Sequence, residues 1–309
     1  MSSIRQFFIK NNLNININIL EGINIENLNG IILNVHGIGS HFQPVYPSID
    51  EFDAKDEFFS KFNFKSFGLE FHGHGKSDGE RCAINNFDDL IDDLDITVKY
   101  IRQKYKEPIF LLCESMGCAV AFKYCIVKEN DIAGVIYLAP LFGIDENLKP
   151  NCILENILVS MSCIIPKLQL LYTTSKMYEL TSPNKDFIIA RANNNYSYKT
   201  SHRLCTGREI LKISDWIKNN FHLFNKPILI FHGKKDVITD PEITKNLFEN
   251  LNSEHKKLYL IDDGYHVLLV NNYKHCLLPK YIINKILKWI QKYVFSKKIV
   301  DILSNIKYN

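Results

Sequence analysis

The sequence predicts an α/β fold, a mostly parallel central sheet with helices on both faces. Three observations carry the prediction. Segments of strand length alternate with segments of helical period along most of the chain. Several of the strands are unbroken apolar runs, the pattern of a strand covered on both faces. Residues suited to chemistry stand just past the ends of those runs, where an open parallel sheet offers a crevice.

Residues 13–19 alternate apolar and polar at period two, which predicts a half-buried strand, and residues 5–9 before it can pair with it as a hairpin. Residues 31–35 form an unbroken run save for Asn34 and end at His36-Gly37-Ile38-Gly39. A helix over 50–62 and a strand over 65–71, ending at His72-Gly73-His74-Gly75, continue the alternation. Apolar residues at 87, 90, 91, 94, 98, 101 and 105 mark an amphipathic helix, with Asp88 and Asp89 favourably placed in its first turn. A buried strand over 108–112 leads into a helix over 117–127. Strands at 135–138, 227–231 and 257–261 and helices at 241–251 and 279–294 complete the series.

Residues 142–204 break this rhythm. They hold apolar pieces at 153–165 and 168–172, both read as helical, and a polar stretch at 193–198. At 309 residues the chain is long for a single core. The division expected is therefore a core from 1–141 and 205–309 with one insertion, 142–204, lying above the sheet. No internal repeat is visible.

Hydrophobic residues make up 46% and charged residues 23%, ordinary for a globular chain, and a net charge of +3 without a basic run gives no reason to invoke nucleic acid. The eight cysteines form no CxxC pair, and the N-terminal residues lack the pattern of a signal peptide, so a reducing, cytoplasmic location is expected. No lipidation box and no apolar stretch of membrane-spanning length is present.

Ser115 falls between a predicted buried strand and a helix, in Cys113-Glu114-Ser115-Met116-Gly117. Such a strand–turn–helix junction lifts a serine hydroxyl above the sheet edge and points a helix N-terminus at it. A serine nucleophile needs a base, and the base an orienting acid. Asp236 follows one later strand in His232-Gly233-Lys234-Lys235-Asp236, and His266 follows the next in Gly264-Tyr265-His266. All three stand at strand C-terminal ends. The backbone N–H groups of Ile38, in the glycine-rich turn after residues 31–35, and of Met116 are the expected oxyanion donors.

These pieces, His36-Gly37-x-Gly39, Gly73-His74-Gly75-x-Ser77-x-Gly79, Glu114-Ser115-Met116-Gly117, His232-Gly233-x-x-Asp236 and Gly264-x-His266, resemble the monoacylglycerol lipase/lysophospholipase branch of the α/β-hydrolases. The resemblance runs from about residue 31 to about 269. It implies an α/β-hydrolase fold with a helical cap insertion that shapes an acyl channel. It implies hydrolysis of carboxylic esters of monoacylated lipids through Ser115, Asp236 and His266, with no metal or organic cofactor. One departure stands out: the elbow of this family reads Gly-x-Ser-x-Gly, whereas this chain has Cys113 at the first position and Cys118 at a further glycine position.

Plainer readings stand beside these. Ser115 can be an ordinary helix-start serine. Asp240, Asp262 and Asp263 compete with Asp236 for the acid. His72 and His74 suggest a metal, but without a third ligand they read better as a loop brace. Cys113 reads as packing rather than as a reactive thiol. Glu114 either tunes the site or points at a neighbouring loop. Residues 153–165 either roof the acyl channel or dock peripherally on a bilayer. A broad carboxylesterase or thioesterase, and a catalytically silent lipid-binding member of the fold, are the rival functions.

Overall fold

The computed structural model describes residues 4–43, 52–145, 151–270 and 278–306. In chain order the strands are β1 (Arg5–Lys10), β2 (Asn16–Glu21), β3 (Gly30–Val35), β4 (Phe64–Glu70), β5 (Ile109–Glu114), β6 (Gly134–Leu138), β7 (Gln169–Thr173), β8 (Ser201–Arg203), β9 (Ile228–Gly233) and β10 (Lys256–Ile261). The α-helices are α1 (Phe52–Ser60), α2 (Asp88–Lys104), α3 (Met116–Val127), α4 (Cys152–Ile164), α5 (Thr174–Thr181), α6 (Lys185–Asn193), α7 (Leu204–Asn220), α8 (Pro241–Glu249) and α9 (Leu278–Ile306).

Eight strands form one sheet in the order β1-β2-β4-β3-β5-β6-β9-β10. β1 pairs antiparallel with β2, and β2 antiparallel with β4. From β4 onward every neighbour is parallel. The unbroken apolar runs are explained by what covers them. Along β5, Ile109, Leu111 and Cys113 enter a core with Leu94 of α2, Val120 of α3 and Ile213 of α7. Phe110 and Leu112 enter the opposite core with Phe59 of α1 and Ile282, Ile286 and Ile290 of α9. A strand buried on both faces has no polar side to alternate with.

Three expectations need correction. The alternation at 13–19 does not mark a half-exposed strand. Asn18 of β2 is fully buried, and its Nδ2 donates to Glu70 Oε2 at 2.8 Å. Residues 168–172 are not helical. Pro166 follows the end of α4, and the next residues extend into β7, where Gln169 and Thr173 pair with Arg203 and Ser201 of β8. The inserted segment is therefore mixed, with α4, α5 and α6 beside a two-stranded sheet, rather than purely helical. An amphipathic helix with no counterpart in the sequence reading, α7, follows it and buries Leu204, Ile213 and Ile217.

Among the described residues Cys82, Cys113, Cys118 and Cys205 are buried, Cys152 and Cys163 are exposed, and all are free thiols. Cys276 lies outside the described residues.

Candidate active site

β5 ends at Glu114 and α3 begins at Met116, so Ser115 makes the whole turn alone. Its backbone takes φ 52°, ψ −116°, a conformation that costs a non-glycine residue on the order of 1–3 kcal/mol. Neighbouring hydrogen bonds hold it there. Its N–H donates to Leu138 O at 3.0 Å, and its carbonyl accepts from Cys118 N at 3.0 Å and Leu141 N at 3.1 Å. Gly117 is obligatory for packing: a Cβ there would lie 2.5 Å from Val35 O and 2.7 Å from His36 O. Cys113, in contrast, sits inside the sheet core, opposite Val35 and Tyr137 in the strand pairing and fully buried. Burial pushes its thiol well above the ordinary range, so it is a neutral packing group.

Asp236 lies in the turn after β9. Its Oδ1 accepts from Ile238 N at 2.8 Å and Thr239 N at 3.1 Å. Its Oδ2 accepts from Thr239 Oγ1 at 2.9 Å, His232 Nε2 at 3.1 Å and His266 Nδ1 at 2.8 Å. Burial alone would raise this carboxyl; the electrostatic attraction of His266 and the hydrogen bonds from both histidines outweigh it, and the group is held well below the usual carboxylate range. An anion facing Nδ1 fixes the proton of the neutral His266 ring on that nitrogen. Nε2 is left as an acceptor, 3.0 Å from Ser115 Oγ.

The structure thus brings Ser115, Asp236 and His266 into one hydrogen-bonded row. The competing acids are engaged elsewhere. Asp262 pairs with Lys234 at 2.6 Å and Asp263 with Lys235 at 2.5 Å, both at the surface, and Asp240 caps α8 through Glu242 N and Ile243 N.

Gly37 packs against the serine, and a Cβ on it would stand 3.0 Å from Ser115 Cβ. Ile38, the next residue, lines the same cleft as Ser115. Among the described residues neither Ile38 N–H nor Met116 N–H, the two amides expected to serve as oxyanion donors, has a protein acceptor. His36, whose ring burial lowers to about 3, stays neutral; its Nδ1–H donates to Gly37 O at 2.7 Å and its Nε2 accepts Phe71 N–H at 3.1 Å.

His72 pairs with Asp93 at 2.7 Å, and His74 Nδ1 lies 3.0 Å from His72 O, so this turn is braced from within. Among the described residues no group of three His, Cys, Asp or Glu side chains is placed to hold a metal ion. Glu114 pairs with the buried Lys55 of α1 at 2.5 Å.

A cleft open to solvent lies over Ser115 and His266. Leu138, Ile238, Val267, Leu268 and Leu269 supply apolar wall from the core, and Tyr178, Thr181, Phe187, Arg191 and His202 close it from the inserted segment. The sequence reading missed these last five. None lies in a recognisable motif, and only folding brings them over the serine. It also gave no role to His232 or Thr239, although His232 stood within the motif that located Asp236. Of the two readings of residues 153–165, the roof over the site is the one their exposure does not favour: Ile153, Ile157 and Ile164 of α4 are exposed, Ile164 by 83%, and none of them lines the cleft.

A family model described as serine aminopeptidase, S33, matches residues 26–272. The chain is 28% identical over 256 residues to caffeoylshikimate esterase of Arabidopsis thaliana, covering 78% of this chain and 72% of the relative. It is 25% identical over 266 residues to monoglyceride lipase of Rattus norvegicus, covering 84% and 80%. A soluble variant of monoglyceride lipase from Saccharomyces cerevisiae, solved with a substrate analogue, superposes with a TM-score of 0.77 at 17% identity over 95% of this chain and 96% of that one. Monoacylglycerol lipase of Paleococcus ferrophilus gives 0.73 at 19% identity over 94% and 99%. With the model spanning most of the chain and the sheet and strand order in place, this protein belongs to the serine aminopeptidase S33 family of α/β-hydrolases.

Proposed function

We propose that this chain is a serine esterase that cleaves carboxylic esters of monoacylated lipids, monoacylglycerols or lysophospholipids, with Ser115 as nucleophile, His266 as general base and Asp236 as its orienting acid. The observation that carries the reading is the row Asp236 Oδ2–His266 Nδ1 at 2.8 Å and His266 Nε2–Ser115 Oγ at 3.0 Å. His266 takes the hydroxyl proton as Ser115 Oγ adds to the ester carbonyl. The oxyanion is received by the amides of Ile38 and Met116 at the start of α3. Collapse releases the alcohol, protonated by His266, and leaves an acyl-serine. A water, activated by the same histidine, then hydrolyses it. No step calls for a metal or cofactor.

The lipid assignment is supported by the apolar wall over Ser115 and by likeness to proteins named monoglyceride lipase. We read residues 142–204 as the cap over the site, between core portions 1–141 and 205–309. The exposed isoleucines of α4 favour peripheral contact with a bilayer from the cytoplasmic side. Among the described residues no helix is long and apolar enough to cross a membrane. A broader esterase is the second reading, favoured by the likeness to a protein named caffeoylshikimate esterase. A silent binding protein is disfavoured, because the hydrogen-bonded row is complete.

Labelling with a fluorophosphonate probe, followed by a panel of monoacyl lipids, thioesters and water-soluble esters, tests the reading. Labelling lost in Ser115→Ala and faster turnover of monoacyl lipids support it. Labelling without lipid preference supports the broad esterase, and absence of labelling overturns both.

A further inference from the structure

We propose that Arg191, a residue of the cap, is a positioning residue of the reaction: it holds the loop that presents the Ile38 amide to the oxyanion. The inference rests on the reading of Ile38 as an oxyanion donor.

A backbone donor assists only if its loop already has the right shape before charge develops. The loop after β3 contains two glycines, Gly37 and Gly39, the latter at φ 67°, so its own stiffness is low. The core fixes its beginning, through His36 Nδ1 to Gly37 O at 2.7 Å. Beyond Ile38, Ser40 N donates to Gly37 O at 3.2 Å within the loop and Phe42 N to Glu70 Oε1 at 2.9 Å in the core, and the remaining polar groups of residues 39 to 41 turn to the cap. Arg191 Nη2 donates to Ser40 Oγ at 2.7 Å, His41 Nε2 lies 3.0 Å from Ser197 Oγ, and Tyr198 N donates to Gly39 O at 3.4 Å. Three consecutive residues, 39 to 41, are each bonded to the cap.

Arg191 is the charged member of this set. It projects from α6, whose start is fixed by Asn184 accepting from Phe187 N at 3.1 Å, and its side chain passes over the Phe187 ring into a buried position. A guanidinium delivered from a capped helix loses little further freedom when it bonds Ser40. Its charge also settles the state of His41. Burial, then the adjacent Arg191, lower that ring to about 2, so it is neutral. Nδ1 accepts Gln43 N–H at 3.1 Å, which places the ring proton on Nε2, donating to Ser197. The 3.4 Å approach of Arg191 Nη1 to that nitrogen is then a packing contact, and Ser40 is the hydrogen-bond partner on the loop.

The cap thereby contributes to the chemical step without touching the ester. Arg191→Met, Arg191→Lys, Ser40→Ala and Ser197→Ala are compared with wild type on a short water-soluble ester, with thermal melts for each. Arg191→Met is expected to lower kcat about 10–100-fold, short of the ~10²–10³ lost with an oxyanion donor itself, with KM unchanged within about twofold. Binding of a trifluoromethyl ketone, which forms a tetrahedral adduct on the serine, weakens by the same factor, while binding of the corresponding non-electrophilic ether does not change. Arg191→Lys recovers part of the rate, Ser40→Ala reproduces a smaller loss, and the double variant is no slower than Arg191→Met. A raised KM at unchanged kcat would make Arg191 a substrate-binding residue and overturn the proposal, as would wild-type kinetics in Arg191→Met. Should that variant not fold, wild-type kinetics in both Ser40→Ala and Ser197→Ala would overturn it equally. Fluorophosphonate labelling of wild type and of Ser115→Ala reports on the underlying esterase reading separately.

Discussion

Gly233 and Gly264 lie back to back, so that a Cβ on Gly233 would stand 2.3 Å from the carbonyl carbon of Gly264. The first glycine ends β9 and opens the turn to Asp236; the second precedes His266 by two residues. Lys235 N donates to Gly264 O at 2.9 Å across the same contact. The acid and the histidine approach because neither turn carries a side chain where they touch.

Gly233→Ala should therefore damage chemistry more than fold. Forcing the two turns apart costs about 1–3 kcal/mol of stability by overpacking. A displacement of order 1 Å between acid and base lowers kcat on the order of 10²-fold. Urea denaturation and steady-state kinetics on one preparation measure both; unchanged kcat with lowered stability would show that the contact does not set the geometry.

Ser115→Ala should lose on the order of 10⁶ in kcat and all fluorophosphonate labelling, with an unchanged circular dichroism spectrum. Turnover near the wild-type rate would place the nucleophile elsewhere.

Asp236→Asn should lose on the order of 10⁴, because the ring then loses the anion that keeps its proton on Nδ1. Asp262→Asn and Asp263→Asn, which break only surface pairs with lysines, should stay within a few-fold of wild type. Kinetics on the three variants separate these cases, and the reverse ranking would reassign the acid.

Stability should fall as pH drops below about 6.5. Burial lowers His36 to about 3, His41 to about 2 and His202 to about 4, so the unfolded chain binds protons in this range that the folded chain refuses. His72 works in the opposite sense: burial would lower it, but the Asp93 carboxylate overrides this and raises it, so its contribution is present at low pH and lost as pH rises. Asp236, held well below the usual carboxylate range, adds its own loss only on further acidification. Denaturant midpoints measured from pH 7 to 4.5 should show net proton uptake on unfolding, and a flat profile would contradict the burial of these rings.

Chain-length preference should reside in the cavity and not in α4. Each methylene buried against Leu138, Ile238 and Phe187 contributes ~0.8 kcal/mol, about fourfold in kcat/KM, until the wall is filled. Ile164→Asn, on the exposed face of α4, should spare dissolved esters of every length and reduce turnover of substrate presented in vesicles. A homologous ester series and a vesicle assay distinguish the two, and a length-selective loss in solution would place Ile164 in the channel.

The sheet was legible because β3, β5, β6 and β9 are covered on both faces, which leaves a local signature in the apolar runs. Ser115, Asp236 and His266 were legible because parallel strands deliver their C-terminal ends to one edge, so position along the chain stands in for position in space. The inserted segment was not. The strand β7 depends on pairing with β8 about thirty residues later, and no local period records that. Arg191, Phe187 and His202 owe their place to tertiary packing alone, and the buried Asn18 shows that a polar residue in an alternating run need not face water when a carboxylate awaits it. Cys113, the departure from the usual elbow, fits without chemistry because its side chain enters the sheet core beneath the turn.

Strand order carries one consequence for biosynthesis. A nascent chain that has emerged through β6 already holds β3, β5 and α3, and with them Ser115 on its bent turn. The base arrives 151 residues later, on a loop that cannot be placed until β9 has docked beside β6 and β10 beside β9. At ~5–20 residues per second that interval lasts roughly 8–30 s. During it Ser115 stands on its bent turn without the histidine that faces it in the folded chain, so on the proposed reading no acyl transfer begins before β10 and the turn after it are in place.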